Sequence, residues 1–134
     1  MSGRRTSDDL EWKAVKEIVM KRDRGVCRLI RVVTPREMMV LRKNAGPYLQ
    51  RLDPAHIFPV GVHADLCYLV SNLVLLNHYS HSNLDNMLSP LDGRSISREE
   101  RDKWWKRIAG ERQFAQLQED IAKTRENEAT TLGD

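Results

Sequence analysis

Apolar residues recur at helical spacing over five segments of the chain and in short extended runs over three. After a polar, basic start (residues 1–6), Ser7 is placed to cap a helix, with Asp8 and Asp9 at the positive end of its dipole. Leu10, Trp12, Val15, Ile18, Val19 and Arg22 then follow the 3.6-residue period, and Asp23 to Gly25 end the helix. Val26 to Val33 is rich in β-branched residues and predicts a strand. Thr34-Pro35-Arg36-Glu37 has the form of a capping box with Pro at the first helical position, so a short helix should follow, with Met38, Met39 and Leu41 as its apolar side and a stop at Asn44 to Pro47. Tyr48 to Phe58 alternates loosely and predicts a second strand. Pro59 to Ala64 reads as a loop, and Asn72 to Leu76 as a short apolar strand. Asn77 then caps a helix carrying His78, His81, Leu84, Asp85 and Leu88, and Pro90 to Gly93 turn the chain. Ser97-Arg98-Glu99-Glu100 is a second capping box. It opens a helix with Trp104, Trp105 and Ile108, broken at Gly110 and followed by a last helix from Glu111 to about Glu126. Trp104 and Trp105 are both expected in the core, with one of them against a base or over an edge as the alternative.

This order of elements predicts an α+β fold and, at 134 residues, a single domain spanning 1–134 with disordered tails at 1–6 and 128–134. Hydrophobic residues are 40% and charged residues 31% of the chain, the balance of a globular protein rather than a disordered one. No apolar run approaches a membrane span and no secretory signal pattern is present, which points to the cytoplasm and away from the membrane. Cys27 and Cys67 form no CxxC pair and read as ordinary reduced thiols.

Charge changes the picture through its distribution. The net charge of +3 is modest, but Lys and Arg crowd the first thirty-one residues and recur from Arg101 to Arg112. Between Leu52 and Gly93 there is no Lys or Arg at all, and that stretch holds all four histidines, His56, His63, His78 and His81, with Asp53, Asp65, Asp85 and Asp92. Imidazoles and carboxylates without cations suit a metal ion, and basic flanks suit a polyanion laid across it. On the predicted helix His81 and Asp85 are four residues apart and share a face, where they can meet on one cation; His78 sits one turn earlier. A hairpin laid over that helix would bring His56 towards the same point.

The array AHIFP followed by SNLVLLNHYSHSNLD resembles the HNH endonucleases of the ββα-metal group. It is similar to small stand-alone phage-type members in which Ala precedes the first His and Asp follows the last His by four. The matching positions are His56 with Ile57 and Pro59, then Asn72, then His81 nine residues beyond it, and RDRGVCRLI resembles the lead-in of many members. The resemblance spans residues 12–90 and is strongest over 53–85. It implies that residues 52–90 form the catalytic core. His56 would be the general base, Asn72 the brace of the hairpin loop, and His81 with Asp85 the ligands of one divalent ion, Mg²⁺ or Mn²⁺ first, with Zn²⁺ or Ni²⁺ as alternatives. Two positions depart from the family pattern. Ala55 stands where many members have a ligand, so ligation would rest on His81 and Asp85 with water, or recruit Asp53 or His78. The two CxxC pairs of a structural zinc are absent, with Ile30, Asn77 and Ser80 in their places, so no structural zinc is expected.

The expected function is metal-dependent hydrolysis of phosphodiester bonds in double-stranded DNA, by a monomer or homodimer and in the form of nicks, with Arg28, Arg51, His63, His78 and Arg94 as contacts to the nucleic acid. A non-catalytic DNA-binding relic and an RNA-directed nuclease are the alternatives.

Overall fold

Two short strands, β1 (Leu52–His56) and β2 (Leu73–Asn77), pair antiparallel in the register Leu52↔Asn77 to His56↔Leu73. They form the only sheet among the described residues, which in this computed structural model are 6–59 and 64–133. Around them lie α1 (Thr6–Arg22), α2 (Pro35–Ala45), α3 (His78–Asp85) and α4 (Arg98–Gly133), so the fold is mixed α+β. No helix among the described residues is long and apolar enough to cross a membrane.

The unbroken apolar run of β2 reflects burial on both faces: every residue from Leu73 to Asn77 is buried. Because side chains alternate along a strand, Leu73 and Leu75 face α1, where Val15 and Val19 meet them. Val74 and Leu76 face the larger core with Ala55, Leu84, Trp105, Ile108 and Leu117. Each leucine so enclosed contributes roughly 2 kcal/mol. Pro54 lies opposite Leu75, whose backbone groups bond away from β1, so its missing N–H costs the ladder nothing.

The outer edge of β2 explains why Val26 to Val33 is not the expected third strand. That edge is met group by group. The Leu73 carbonyl accepts from Arg22 and Gln113, the Leu75 N–H donates to Asp23 Oδ2 at 3.0 Å, the Leu75 carbonyl accepts from the Arg28 N–H, and the Asn77 N–H donates to Cys27 Sγ at 3.2 Å. With no ladder left to join, residues 26–33 fold into tight turns, Ile30 N–H to the Cys27 carbonyl and Val32 N–H to the Leu29 carbonyl, and send Cys27 and Leu29 into the core. Asp23 holds this joint. Its carboxylate, 1% exposed, also accepts from Arg22 Nε and Arg28 Nη1, each at 2.8 Å.

The capping boxes form as expected. Thr34 Oγ1 accepts from the Glu37 N–H and Glu37 Oε1 from the Thr34 N–H, and Ser97 and Glu100 repeat the pattern. Gly110 breaks α4 with φ 84° and ψ 156°, a conformation open essentially to Gly alone. The break frees the Ala109 carbonyl, which accepts from Arg28 at 2.6 Å.

Other boundaries differ from the pattern. The second strand is confined to Leu52–His56, since Pro47 sets a 3-10 turn over Gly46–Gln50. Asn72 ends a 3-10 turn, Val70–Asn72, and precedes β2 rather than opening it. α3 stops at Asp85, because Met87 takes a positive φ of 59°. Thr6 is already helical, and α4 runs on through Gly133 where a frayed tail was expected: Glu126, Glu128 and Ala129 favour helix and no Gly or Pro interrupts them. Met38 packs against the core but Met39 is 71% exposed. Trp105 is in the core, and Trp104, half-buried, lies under the Arg107 guanidinium.

Candidate metal centre and its hairpin

The loop between the strands is closed by one buried side chain. Asn72 Oδ1 accepts from the Phe58 N–H at 2.7 Å, and its Nδ2 donates to the carbonyls of Phe58 and Leu66 at 3.0 and 3.2 Å. Its own carbonyl accepts from the Ile57 N–H. These bonds fix the backbone on the C-terminal side of His56.

His56 ends β1 on the face that α1 covers. Its ring stacks on Trp12, with centroids 5.8 Å apart and planes at 18°. Nε2 stands 3.2 Å from the Cys67 carbonyl. A carbonyl only accepts, so Nε2 carries the proton in this contact, and in the neutral form of the ring the lone pair is on Nδ1.

Asp53 lies on the opposite face of β1, towards α3. One of its oxygens, Oδ2, meets two rings: His78 Nδ1 at 2.7 Å and His81 Nδ1 at 3.0 Å. The other nitrogen of His81, Nε2, faces Asp85 Oδ2 at 3.2 Å. Hydrogen bonding to Asp85 raises the His81 pKa, burial opposes it, and Asp53 adds to the rise. Burial pushes the Asp53 carboxyl upward, but the hydrogen bonds and charges of His78 and His81 outweigh it and hold its pKa below the usual aspartate range.

This geometry has a chemical requirement. When His81 Nδ1–H donates to Asp53, a neutral ring turns its Nε2 lone pair on a second acceptor, Asp85 Oδ2. A cation must stand between them, either a proton or a metal ion. Ligands about 2.1 Å from one ion lie roughly 3 Å apart when adjacent, so the pair fits a divalent cation. Asp53 would then act as the carboxylate that fixes the ring of a ligating histidine. Among the described residues no three His, Cys, Asp or Glu side chains form a ready-made ligand set.

The sequence-derived residues separate accordingly. Asp53, His78, His81 and Asp85 form one continuous cluster. No hydrogen bond or ring contact joins His56 to them among the described residues. Ala55 is fully buried in the core beneath α3, and Asp53, one pleat away at roughly 6.8 Å along the strand, is the carboxylate on that face. Of the expected nucleic-acid contacts, Arg28 is bound inward to Asp23, Gln113 and Ala109 and is only 15% exposed, so its donors serve the fold. Arg51 is exposed just before β1, and its carbonyl accepts from the His78 N–H. Arg94 is 86% exposed and pairs with Asp92. His78 also lies 5.8 Å from the Tyr48 ring. His63 falls outside the described residues.

Pattern reading undervalued Asp53, although its alternation with Ala55 places both on the helix side of β1. It gave Trp12 no part beside His56, and nothing in the residue types points to the Cys67 carbonyl. The positions of the missing cysteine pairs do converge. Cys27 Sγ accepts from the Asn77 N–H and Nδ2, Asn77 Nδ2 also approaches Ser80 Oγ at 3.0 Å, and Ser80 Oγ donates to the Pro90 carbonyl. Comparison of the chain with protein-family models, with curated proteins and with solved structures finds no match in any of the three.

Proposed function

We propose that the chain is a divalent-metal-dependent endonuclease of the HNH type that hydrolyses phosphodiester bonds in double-stranded DNA. The observation that carries this reading is His81, oriented by Asp53 through Nδ1 and facing Asp85 through Nε2. Asn72 closing the loop beyond His56 and the Cys27–Asn77–Ser80 joint agree with it.

His81 and Asp85 would hold the ion, which when bound supplies Lewis-acid stabilisation of the leaving 3′ oxygen and a nonbridging oxygen. His56 acts from the other side. With Nε2–H on the Cys67 carbonyl, Nδ1 takes a proton from water as the water oxygen bonds to phosphorus and the bond from phosphorus to the 3′ oxygen breaks. In-line displacement needs base and leaving group on opposite sides of phosphorus, so His56 need not touch His81 or Asp85. Trp12 and Asn72 keep the imidazole in place between the α1 face and the loop.

The test is incubation with supercoiled plasmid and Mg²⁺ or Mn²⁺, with EDTA, His56→Ala and Asn72→Ala beside it and RNA as a second substrate. Nicking that EDTA and His56→Ala abolish, and that Asn72→Ala weakens in a folded protein, is the expected result. Cleavage that survives EDTA or His56→Ala refutes the mechanism. The buried Ala55 favours one second reading, a DNA-binding relic, which predicts binding without cleavage by the native chain.

A further inference from the structure

A separate concentration of charge lies where α4 bends at Gly110. Arg22, Arg28, Arg31, Arg107 and Arg112 line a groove of about 860 Å³, with Val70 and Ser71 on its wall. These five guanidinium groups face the carboxylates of Asp23 and Asp120, and Arg107 is paired with Glu37, which leaves an excess of two positive charges.

The arginines divide into two layers. Arg22, Arg28 and Arg107 spend their donors on Asp23, Glu37 and the carbonyls of Val32, Val70, Leu73 and Ala109, and so build the wall. Arg31 is exposed and gives one donor to the Asp23 carbonyl. Arg112 is exposed on the far side of the bend. Their remaining donors face an open groove far larger than one small anion.

We propose that this groove seats the phosphodiester backbone of a nucleic acid, with Arg31 and Arg112 on successive phosphates. The path is set by α1. Trp12, in the middle of the helix, stacks on His56, and Arg22, which ends the helix and lines the groove, donates to the carbonyl of Leu73, the strand partner of His56. A duplex strand places a phosphate about every 3.4 Å of axis, so a strand lying at His56 reaches the groove within a few phosphates. The identity of the polyanion rests on the nuclease reading; the groove and its charge do not.

The experiment is fluorescence anisotropy of the full chain with a short labelled DNA duplex, in EDTA and over a salt series, for the native protein, Arg31→Ala, Arg112→Ala and the double variant. Lys123→Ala, on the outer turn of α4, controls for net charge. Each groove variant should weaken binding and reduce the slope of log K against log salt by about 0.9, the double variant by about twice that. Lys123→Ala should leave the slope unchanged. Arg112→Ala removes no hydrogen bond of the fold and keeps the test valid if Arg31→Ala unfolds. An unchanged slope in folded Arg112→Ala, or no binding by the native chain, overturns the groove. Loss of binding in these variants beside a native chain that never cleaves upholds the groove and removes the nuclease reading.

Discussion

Asp23→Asn keeps the shape of a side chain that is 1% exposed and removes the charge on which the β2 edge is assembled. Two guanidinium groups and the Leu75 N–H lose a carboxylate that accepts from all three. Breaking a buried ion pair from one side costs about 3–5 kcal/mol, because the remaining charge stays desolvated. Arg22 keeps 28% and Arg28 15% of its exposure, and water there screens part of the loss, so about 3 kcal/mol is expected. For a chain of this length that lowers Tm by roughly 10 °C. Burial alone would raise the Asp23 carboxyl, but hydrogen bonds from Arg22 and the Leu75 N–H, with the charges of Arg22 and Arg28, hold it below its ordinary value. A carboxyl depressed in the folded state adds stability that is complete above the unfolded pKa, near 3.8, and is lost as pH falls through the folded value. The deficit of the Asn variant should therefore be full at neutral pH and shrink as pH drops below about 3.8. Urea unfolding followed by tryptophan fluorescence over a descending pH series measures both. A loss under about 1 kcal/mol at neutral pH with an unchanged m-value, or a deficit that does not shrink in acid, refutes this account of the joint.

Gly110→Ala meets no atom within 4 Å, so its expected cost of about 1–3 kcal/mol is backbone strain at φ 84° alone; a thermal shift of less than about 2 °C would contradict it. Glu37 is lowered to about 2, chiefly by its hydrogen bond to Arg107, so its contribution is complete above 4.5 and fades as pH falls towards 2. With Glu37 26% and Arg107 36% exposed, Glu37→Gln should cost only about 1 kcal/mol at neutral pH, read by denaturant titration. Asp53→Asn removes the negative charge that holds His81 Nδ1 and should weaken Mn²⁺ binding by about 10- to 100-fold in calorimetry, with the helical signal of the fold retained.

Local chemistry carried much of this fold into the sequence. Thr34 with Glu37 and Ser97 with Glu100 mark helix starts because the bonds they make span three residues, and Gly110 marks a break that a side chain would resist. Asn77 caps α3, and His81 and Asp85 fall on it, because cap and period agree there. What stayed hidden depends on distant partners. Val26 to Val33 has strand composition, but the β2 edge it would join is taken by the side chains of Arg22, Asp23 and Gln113, and no local pattern reports that. Asp23 did leave a trace: an acidic residue at a helix C-terminus opposes the dipole and needs compensation, here from Arg22 and Arg28. Within the site, the spacing of Asn72 and His81 was legible, whereas the double use of Asp53 Oδ2 required β1 and α3 to be docked.

The Cys27–Asn77–Ser80 joint separates folding from chemistry. It ties the turn after α1 to the start of α3 with a thiol, an amide and a hydroxyl, groups that a chelator does not strip. On the proposed metal-dependent reading, EDTA would therefore act on the Asp53, His81 and Asp85 cluster while the scaffold stays assembled, and inhibition and unfolding become independently measurable. The same joint carries a different liability. Its sulfur is an acceptor at the heart of the fold, so an oxidant that reaches Cys27 would loosen the scaffold before it touched the Asp53, His81 and Asp85 cluster.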